Sequence, residues 1–170
     1  MDKTEIELKL RVAALEPLVA RLEAAGYQLE ASEQDEVSVL WDREGTLQAK
    51  DEALRVRTYG ARTLLTWKGP RRPDPQLKIR PEQETWVGDA HALEGILRAL
   101  GYQPRRVMRK RRALWAGRGP QVALDRTPFG CFVELEGDPE AIAQGRHLLG
   151  LAAAVPETRS YAELFAMHDL

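Results

Sequence analysis

Cysteine is almost absent from this chain, and long apolar runs are missing altogether. Cys131 is the single cysteine, which excludes an intramolecular disulfide and a zinc site built from cysteines. No stretch approaches the ~20 consecutive apolar residues of a membrane span, and residues 1–5 lack the apolar core of a signal peptide. These absences predict a cytoplasmic protein in which Cys131 is a small core residue.

Aromatic residues and net charge are also scarce. Aromatics make up 6% of the 170 residues, and 25 basic side chains nearly balance 26 acidic ones, giving a formal net charge of -1. A protein that binds nucleic acid through its phosphates is usually basic, so an RNA-binding barrel ranks last among the function classes. His91, His147 and His168 fall in predicted helices and form no metal-binding or catalytic motif. The length fits a single domain, 1–170, with its own hydrophobic core.

The chain alternates without interruption near its start. Glu5, Glu7, Lys9 and Arg11 share one parity, and apolar residues fill the other. A period of two predicts a β-strand with one charged and one apolar face. Further strand-like segments lie at 37–42, 53–57, 63–68, 78–84, 107–116, 121–125 and 132–136.

Helical spacing appears between and after these segments. Apolar stripes predict helices over 15–22 and 93–100. Asp89, Asp138 and Ser160 are typical N-caps, and Glu163 completes a capping box with Ser160. The pattern predicts an α+β fold with about eight antiparallel strands, because no βαβ rhythm suggests a parallel sheet.

Several strands share one unusual property, which is an ionised side chain at every second position. The carboxylates are Glu5, Glu7, Glu82, Glu84, Asp125, Glu134 and Glu136, and the cations are Lys9, Arg55, Arg57, Lys68, Lys78 and Arg80. For any one strand, a solvated sheet face explains this pattern. A twisted sheet of this many strands tends to close, and helices outside it would turn the charged face into a lumen. Buried charges need partners, and this mixture suits a polyphosphate together with Mg²⁺ or Mn²⁺.

A set of motifs then points to a family. Glu5-Ile6-Glu7-Leu8-Lys9 resembles the ExExK signature of the CYTH superfamily, the triphosphate tunnel metalloenzymes. Further matches follow in family order over nearly the whole chain. They are Leu54-Arg55-Val56-Arg57, Trp67-Lys68-Gly69-Pro70, Lys78-Ile79-Arg80, Lys110 with Arg112, Leu124-Asp125, the segment 129–136, and Ser160-Tyr161.

The resemblance implies an eight-stranded antiparallel closed β-barrel with helices packed outside and a triphosphate in the tunnel. It implies Glu5, Glu7, Glu134 and Glu136 as metal ligands, with Mg²⁺ or Mn²⁺ as the cofactor. It implies a phosphate-binding set of Arg55, Arg57, Lys68, Lys78, Arg80, Lys110 and Arg112. Lys9, Glu7 and Asp125 are the catalytic candidates, and Glu82 and Glu84 are further tunnel-lining residues.

The reaction is left open by the motifs. The segments 100–104 and 159–161 resemble class IV adenylyl cyclases most, which implies conversion of ATP to cyclic AMP and pyrophosphate. The alternatives are a triphosphatase acting on thiamine triphosphate, a nucleoside triphosphate or inorganic tripolyphosphate, and a non-catalytic polyphosphate-binding or nucleotide-binding module. A homodimer is also left open.

One segment departs from the family pattern. Many members carry a tyrosine-containing stretch where this chain reads Ser38-Val39-Leu40-Trp41-Asp42, which weighs against a tripolyphosphatase. Trp41 suits either the core or stacking on a base or thiazole ring, and the core is the more common fate of a tryptophan.

Overall fold

The computed structural model describes residues 3–168. This part of the chain contains eight β-strands and four α-helices. The strands are β1 (Lys3–Val12), β2 (Gln28–Asp42), β3 (Ala53–Tyr59), β4 (Arg62–Lys68), β5 (Lys78–Val87), β6 (Gln103–Ala116), β7 (Gln121–Thr127) and β8 (Gly130–Glu136). The helices are α1 (Glu16–Ala24), α2 (Ala90–Ala99), α3 (Pro139–Leu148) and α4 (Tyr161–Met167).

The strands close into a barrel in the order β1-β5-β4-β3-β2-β6-β7-β8, and every neighbouring pair is antiparallel. The predicted α+β fold with a closed eight-stranded antiparallel barrel is confirmed. Strand β2 is longer than predicted, because it begins at Gln28 rather than at 37. Register shifts between Leu29 and Ala31, and between Ala31 and Gln34, interrupt its pairing with β6. Each shift changes which residues of β2 face the lumen. The first part of the strand therefore does not alternate strictly in sequence, and it was not predicted.

The hydrophobic core lies outside the barrel wall rather than within it. The larger apolar cluster joins Leu18 and Leu22 of α1 and Ile142 of α3 to outward-facing strand residues such as Leu10 and Leu135. A second cluster places Leu97 of α2 against Trp41 and Val56. Trp41 is only 2% exposed, so it is a core residue. Because apolar side chains face outward beneath the helices, the charged residues of alternate parity face the lumen.

Three helices begin at the predicted caps. The side chains of Asp89 and Asp138 accept hydrogen bonds from Ala92 N and Ala141 N. Ser160 and Glu163 form the predicted capping box at the start of α4. None of the helices within residues 3–168 is long and apolar enough to cross a membrane.

Helix α4 covers one end of the barrel. Phe129, in the turn between β7 and β8, packs edge-on against Phe165 of α4, with 5.0 Å between ring centroids. The loop between β4 and β5 reaches the same helix, since Arg71 lies 3.4 Å from Glu163. The turn between β3 and β4 and the carboxyl end of β5 therefore lie at the opposite end of the barrel, because adjacent strands are antiparallel. These are called the α4 end and the far end below.

The outer core sets the stability of the barrel. Leu135 is fully buried beneath α3, so we expect Leu135→Ala to lower the free energy of unfolding by about 2–5 kcal/mol through lost burial and a residual cavity. Urea denaturation measures this change. Leu100→Ala is the control, since Leu100 is 58% exposed and its truncation is expected to change stability by no more than about 0.5 kcal/mol. Equal losses in the two variants would contradict this location of the core.

Candidate active site

Asp125 is the most densely bonded residue of the lumen. It is fully buried, and its carboxylate accepts two hydrogen bonds from Arg112, at 2.7 Å from Nε and 2.6 Å from Nη2. Lys110 Nζ donates to the same carboxylate at 3.0 Å, and the Tyr161 hydroxyl donates at 2.5 Å. Two cations and a phenol thus compensate its burial. The structure places Asp125 as the organiser of Arg112 and Lys110, while its catalytic role stays a prediction.

Lys9 lies at the same level of the lumen. It is 2% exposed, and its Nζ lies 3.5 Å from Glu134 and donates to the Arg159 carbonyl oxygen at 3.1 Å. Burial lowers the pKa of Lys9, and the nearby charge of Lys78 lowers it further, to about 7, against the opposing charges of Glu134 and Glu7. Lys9 is therefore a buried amine near its titration point at neutral pH.

Tyr161 separates two of the lumen's cations. Its ring centroid lies 3.9 Å from Lys9 Nζ and 4.0 Å from Lys110 Nζ, which places both ammonium groups against the aromatic ring. Burial and the charge of Asp125 raise the pKa of Tyr161 well above its usual range, so the phenol stays protonated and donates to Asp125. No site role was predicted for Tyr161, although it belongs to the quoted motif Ser160-Tyr161. The capping box marks the helix start, but only the fold shows that this start enters the barrel.

Glu36 is the second residue that the sequence prediction missed. It is 3% exposed, and its carboxylate lies 3.5 Å from Lys110, 3.7 Å from Arg112 and 3.9 Å from Arg57. Burial alone would raise the pKa of Glu36, but the charges of Lys110, Arg112 and Arg57 lower it to about 2. The prediction began this strand at 37, so Glu36 lay just outside the predicted strand. The common parity of Gln34, Glu36 and Ser38 is the signal that could have found it.

The predicted metal ligands lie in the lumen, but each is paired with a cation. Lys68 Nζ lies 2.6 Å from Glu5 and 2.7 Å from Glu82, and Lys78 Nζ lies 3.0 Å from Glu7. Lys3 pairs with Glu136 at 3.0 Å. Glu134 contacts Arg112 closely, in addition to Lys9. Within residues 3–168, no three His, Cys, Asp or Glu side chains lie together in a metal-binding arrangement.

The chemistry of this carboxylate group nevertheless suits a hard cation. Burial raises the pKa of Glu136, the charges of Glu5 and Glu82 raise it further, and Lys3 opposes the change. Like charges therefore converge around Glu136, and their oxygen atoms are the donors that Mg²⁺ and Mn²⁺ prefer. Metal binding by these residues requires that carboxylates exchange their ammonium partners for the ion.

The predicted phosphate-binding arginines of β3 and β5 are held in two different ways. Arg55 and Arg57 of β3 face the lumen, and the Nε atoms of both are buried without a hydrogen-bond partner in the described chain. Arg57 also donates to Glu84 at 3.0 Å. Arg80 is held differently, because its Nε donates to the Gly69 carbonyl oxygen at 2.7 Å and its Nη2 donates to the Asp51 carbonyl oxygen at 2.8 Å. It anchors two loops at the α4 end, and its phosphate contact stays a prediction.

Fold and site together define a barrel whose lumen holds an ordered network of lysines, arginines and carboxylates. The CYTH domain family model matches residues 3–155, which is most of the chain. The chain therefore belongs to the CYTH domain family, as the signature at 5–9 predicted.

Known proteins of similar sequence and structure agree with this assignment. A candidate adenylate cyclase of Methanocaldococcus jannaschii is 26% identical over 133 residues, which cover 78% of this chain and 75% of the relative. A solved candidate adenylate cyclase from Vibrio parahaemolyticus superposes with a TM-score of 0.79 at 21% identity, covering 98% of this chain and 99% of that one.

A third similar protein is the Hippeastrum protein HpAC1, which is described as a candidate adenylyl cyclase that reveals a dominant triphosphatase activity. It superposes with a TM-score of 0.75 at 18% identity, covering 98% of this chain and 97% of that one. At these identities the two solved structures establish the common fold.

The low pKa of Glu36 predicts how stability depends on pH. Because the folded protein lowers this pKa from 4.5 to about 2, the charged carboxylate stabilises the fold above pH 4.5. That contribution, on the order of 3 kcal/mol, is lost as pH falls from 4.5 toward 2. We expect Glu36→Gln to be less stable than the unaltered protein at pH 7, and the difference to narrow over this acidic range.

Urea denaturation at a series of pH values measures the effect. Asp35→Asn is the matched control on the same strand, since the Asp35 side chain is 87% exposed. A difference between Glu36→Gln and the unaltered protein that stays constant from pH 7 to pH 3 would contradict the proposed burial of a charged Glu36.

Proposed function

We propose that this protein is a metal-dependent enzyme that binds a triphosphate in the lumen and converts ATP to cyclic AMP and pyrophosphate, as class IV adenylyl cyclases do. The observation that carries the proposal is the convergence of cations from separate strands on one enclosed space. They are Lys9 of β1, Arg55 and Arg57 of β3, Lys68 of β4, Lys78 of β5, and Lys110 and Arg112 of β6. A bound triphosphate provides a compact set of negative oxygens that such an arrangement can compensate from several sides.

The internal carboxylates prepare these cations for a ligand. Glu36, Asp125 and Glu134 hold Lys110 and Arg112 in fixed positions before any substrate arrives. Cations that are already positioned need little reorganisation when phosphate oxygens replace part of their contacts. Arg55 and Arg57 add donors, because their buried Nε atoms have no partner in the described chain. Phosphate oxygens supply the acceptors that these donors require.

We place the metal among Glu5, Glu7, Glu134 and Glu136, where Mg²⁺ or Mn²⁺ would supply positive charge beside the phosphates. The protein's own contribution is to orient the chain of phosphates along Arg55, Arg57, Lys110 and Arg112. Lys9 is positioned to orient a phosphate or the attacking group, since it is fixed between Glu134 and the Arg159 carbonyl oxygen. In cyclisation, the ribose 3′ hydroxyl loses its proton to solvent, its oxygen forms a bond to the α-phosphorus, and the bond from the α-phosphorus to the pyrophosphate oxygen breaks.

Hydrolysis is the second candidate, and one observation favours it. The Hippeastrum protein has the same fold, and its description assigns it a dominant triphosphatase activity. A hydrolase directs water at the terminal phosphate and releases orthophosphate, and the same set of cations stabilises that reaction. The two reactions differ in which group reaches which phosphorus atom, while the binding site remains the same.

A product assay separates the two reactions. The protein is incubated with ATP, thiamine triphosphate or tripolyphosphate in the presence of Mg²⁺ or Mn²⁺, and the products are separated by chromatography. We expect equal amounts of cyclic AMP and pyrophosphate from ATP, and no turnover after EDTA treatment. Orthophosphate without cyclic AMP would establish the triphosphatase instead. No turnover of any compound with either metal would overturn both reactions.

Lys9 provides a residue-level prediction. We expect Lys9→Met to lower kcat on the order of 100-fold, since a preorganised cation that contacts the reacting phosphate contributes about this much to catalysis. Steady-state kinetics measures the change, and Lys50→Met is the control because Lys50 is exposed. A kcat for Lys9→Met within threefold of the control would contradict a direct role of Lys9.

Residence in the cytoplasm and a homodimeric state stay predictions.

A further inference from the structure

Trp86 is placed unusually for a large aromatic residue. It lies on β5 with the same parity as Glu84, Glu82 and Lys78, which is the parity of the lumen. Yet it is 59% exposed, whereas the core residues Trp41 and Trp115 are 2% and 5% exposed. A single exposed aromatic residue is common on protein surfaces, so the exposure of Trp86 alone carries no argument. Its place on the lumen face of β5, near the end of the strand, is the observation that bears on function.

The two ends of the barrel explain the exposure. At the α4 end, Tyr161 fills the lumen between Lys9 and Lys110, and α4 lies across the opening. Trp86 lies one residue from the carboxyl end of β5 and therefore at the far end, beside the turn between β3 and β4. A ligand whose phosphates contact the lumen cations cannot extend past Tyr161. Its remaining part therefore extends toward the far end. Trp86 stands where the outer part of such a ligand emerges.

The neighbours of Trp86 connect it to the cations. Its cross-strand partner is Leu64 of β4, and the cross-strand partner of Leu64 is Arg57 of β3, so the three side chains share the lumen face. Leu64 is 7% exposed and provides an apolar floor between them. Arg62 lies over the Trp86 ring, with 5.3 Å between the guanidinium carbon and the ring centroid. A large part of the ring remains accessible despite this contact.

We propose that Trp86 stacks on the planar ring of an organic triphosphate and makes the tunnel prefer such compounds over inorganic tripolyphosphate. This inference rests on the proposed function, because it requires that the cations of the lumen hold phosphates. The aromatic ring supplies a flat apolar surface, and Arg62 orients it at the mouth. A nucleobase offers the complementary π-face, and stacking of this kind tolerates different bases. Tripolyphosphate has no ring, so it gains nothing from Trp86.

The test compares two ligands on matched variants. Isothermal titration calorimetry with Mg²⁺ present measures the Kd of ATP and of tripolyphosphate for the unaltered protein, Trp86→Leu, Trp86→Phe and Thr85→Ala. Thr85 is the control, since it is exposed and faces outward on the same strand. We expect Trp86→Leu to weaken ATP binding about 10-fold and to change the Kd of tripolyphosphate less than twofold. We expect Trp86→Phe to recover most of the ATP affinity and Thr85→Ala to leave both constants unchanged.

Each outcome decides between the inference and its alternatives. An unchanged Kd of ATP in Trp86→Leu would overturn the inference and leave the proposed function intact. Equal weakening of both ligands would also overturn it, since this means that Trp86 supports the barrel rather than a ring. If neither ligand binds the unaltered protein, the proposed function fails and this inference fails with it. Thermal unfolding of each variant confirms that the compared proteins are folded. If Trp86→Leu is not folded, Trp86→Gln replaces it, since this variant also removes the aromatic ring and places a polar side chain at an exposed position.

Discussion

The pairing of Asp125 with Arg112 is the interaction on which the interior of this protein depends. An isolated carboxylate that is fully buried carries a large desolvation cost, and so does an isolated guanidinium. Here two hydrogen bonds join them directly, and Glu134 and Glu36 compensate the rest of the positive charge of Arg112 and Lys110. A closed barrel with charges inside can persist because no charge in this network stands alone. The apolar shell outside the wall stabilises the fold by burial, and the pairing inside, which includes the charged Glu36, offsets the desolvation of the lumen's charges.

This arrangement also governs what the lumen can bind. Every cation held by an internal carboxylate is already oriented, so a polyanion competes with carboxylates rather than with bulk water. Under the proposed function, this competition would favour ligands with dense negative charge, since a single carboxylate on a ligand would gain little over the carboxylates already present. The carboxylates on the β1, β5 and β8 side of the lumen are paired in the same way with Lys3, Lys68 and Lys78. In the proposed function, a metal ion at these carboxylates would release Lys3, Lys68 and Lys78 from their ion pairs, and this exchange would couple metal binding to substrate binding through charge.

The two ends of the barrel differ because different elements reach them. The segment that precedes α4 adds to the edge of β1, where Glu157 N donates to the Lys9 carbonyl oxygen, and it inserts Tyr161 into the lumen. Arg80, Asp51 and Arg71 tie the loops of the same end together through hydrogen bonds at 2.8–2.9 Å. The far end, beside the turn between β3 and β4, exposes Trp86. In the function proposed above, this asymmetry would orient a ligand with its phosphates inside and any organic group toward the far end.

The sequence by itself determined the wall of this protein. Alternation in β1 and β3 assigns apolar residues to one face and charged residues to the other, because a strand permits only two faces. The caps at Asp89, Asp138 and Ser160 mark the beginnings of three helices, because their side chains satisfy local backbone N–H groups. Only the tertiary structure decided the pairing inside the lumen, because contacts such as Glu36 with Arg112 join strands that are distant in sequence. It also decided that Arg80 donates to the carbonyl oxygens of two loops, and that Tyr161 enters the barrel. The position of a residue in the alternating pattern of a strand predicts the face on which its side chain lies. The closure of the barrel determines which of these side chains contact one another.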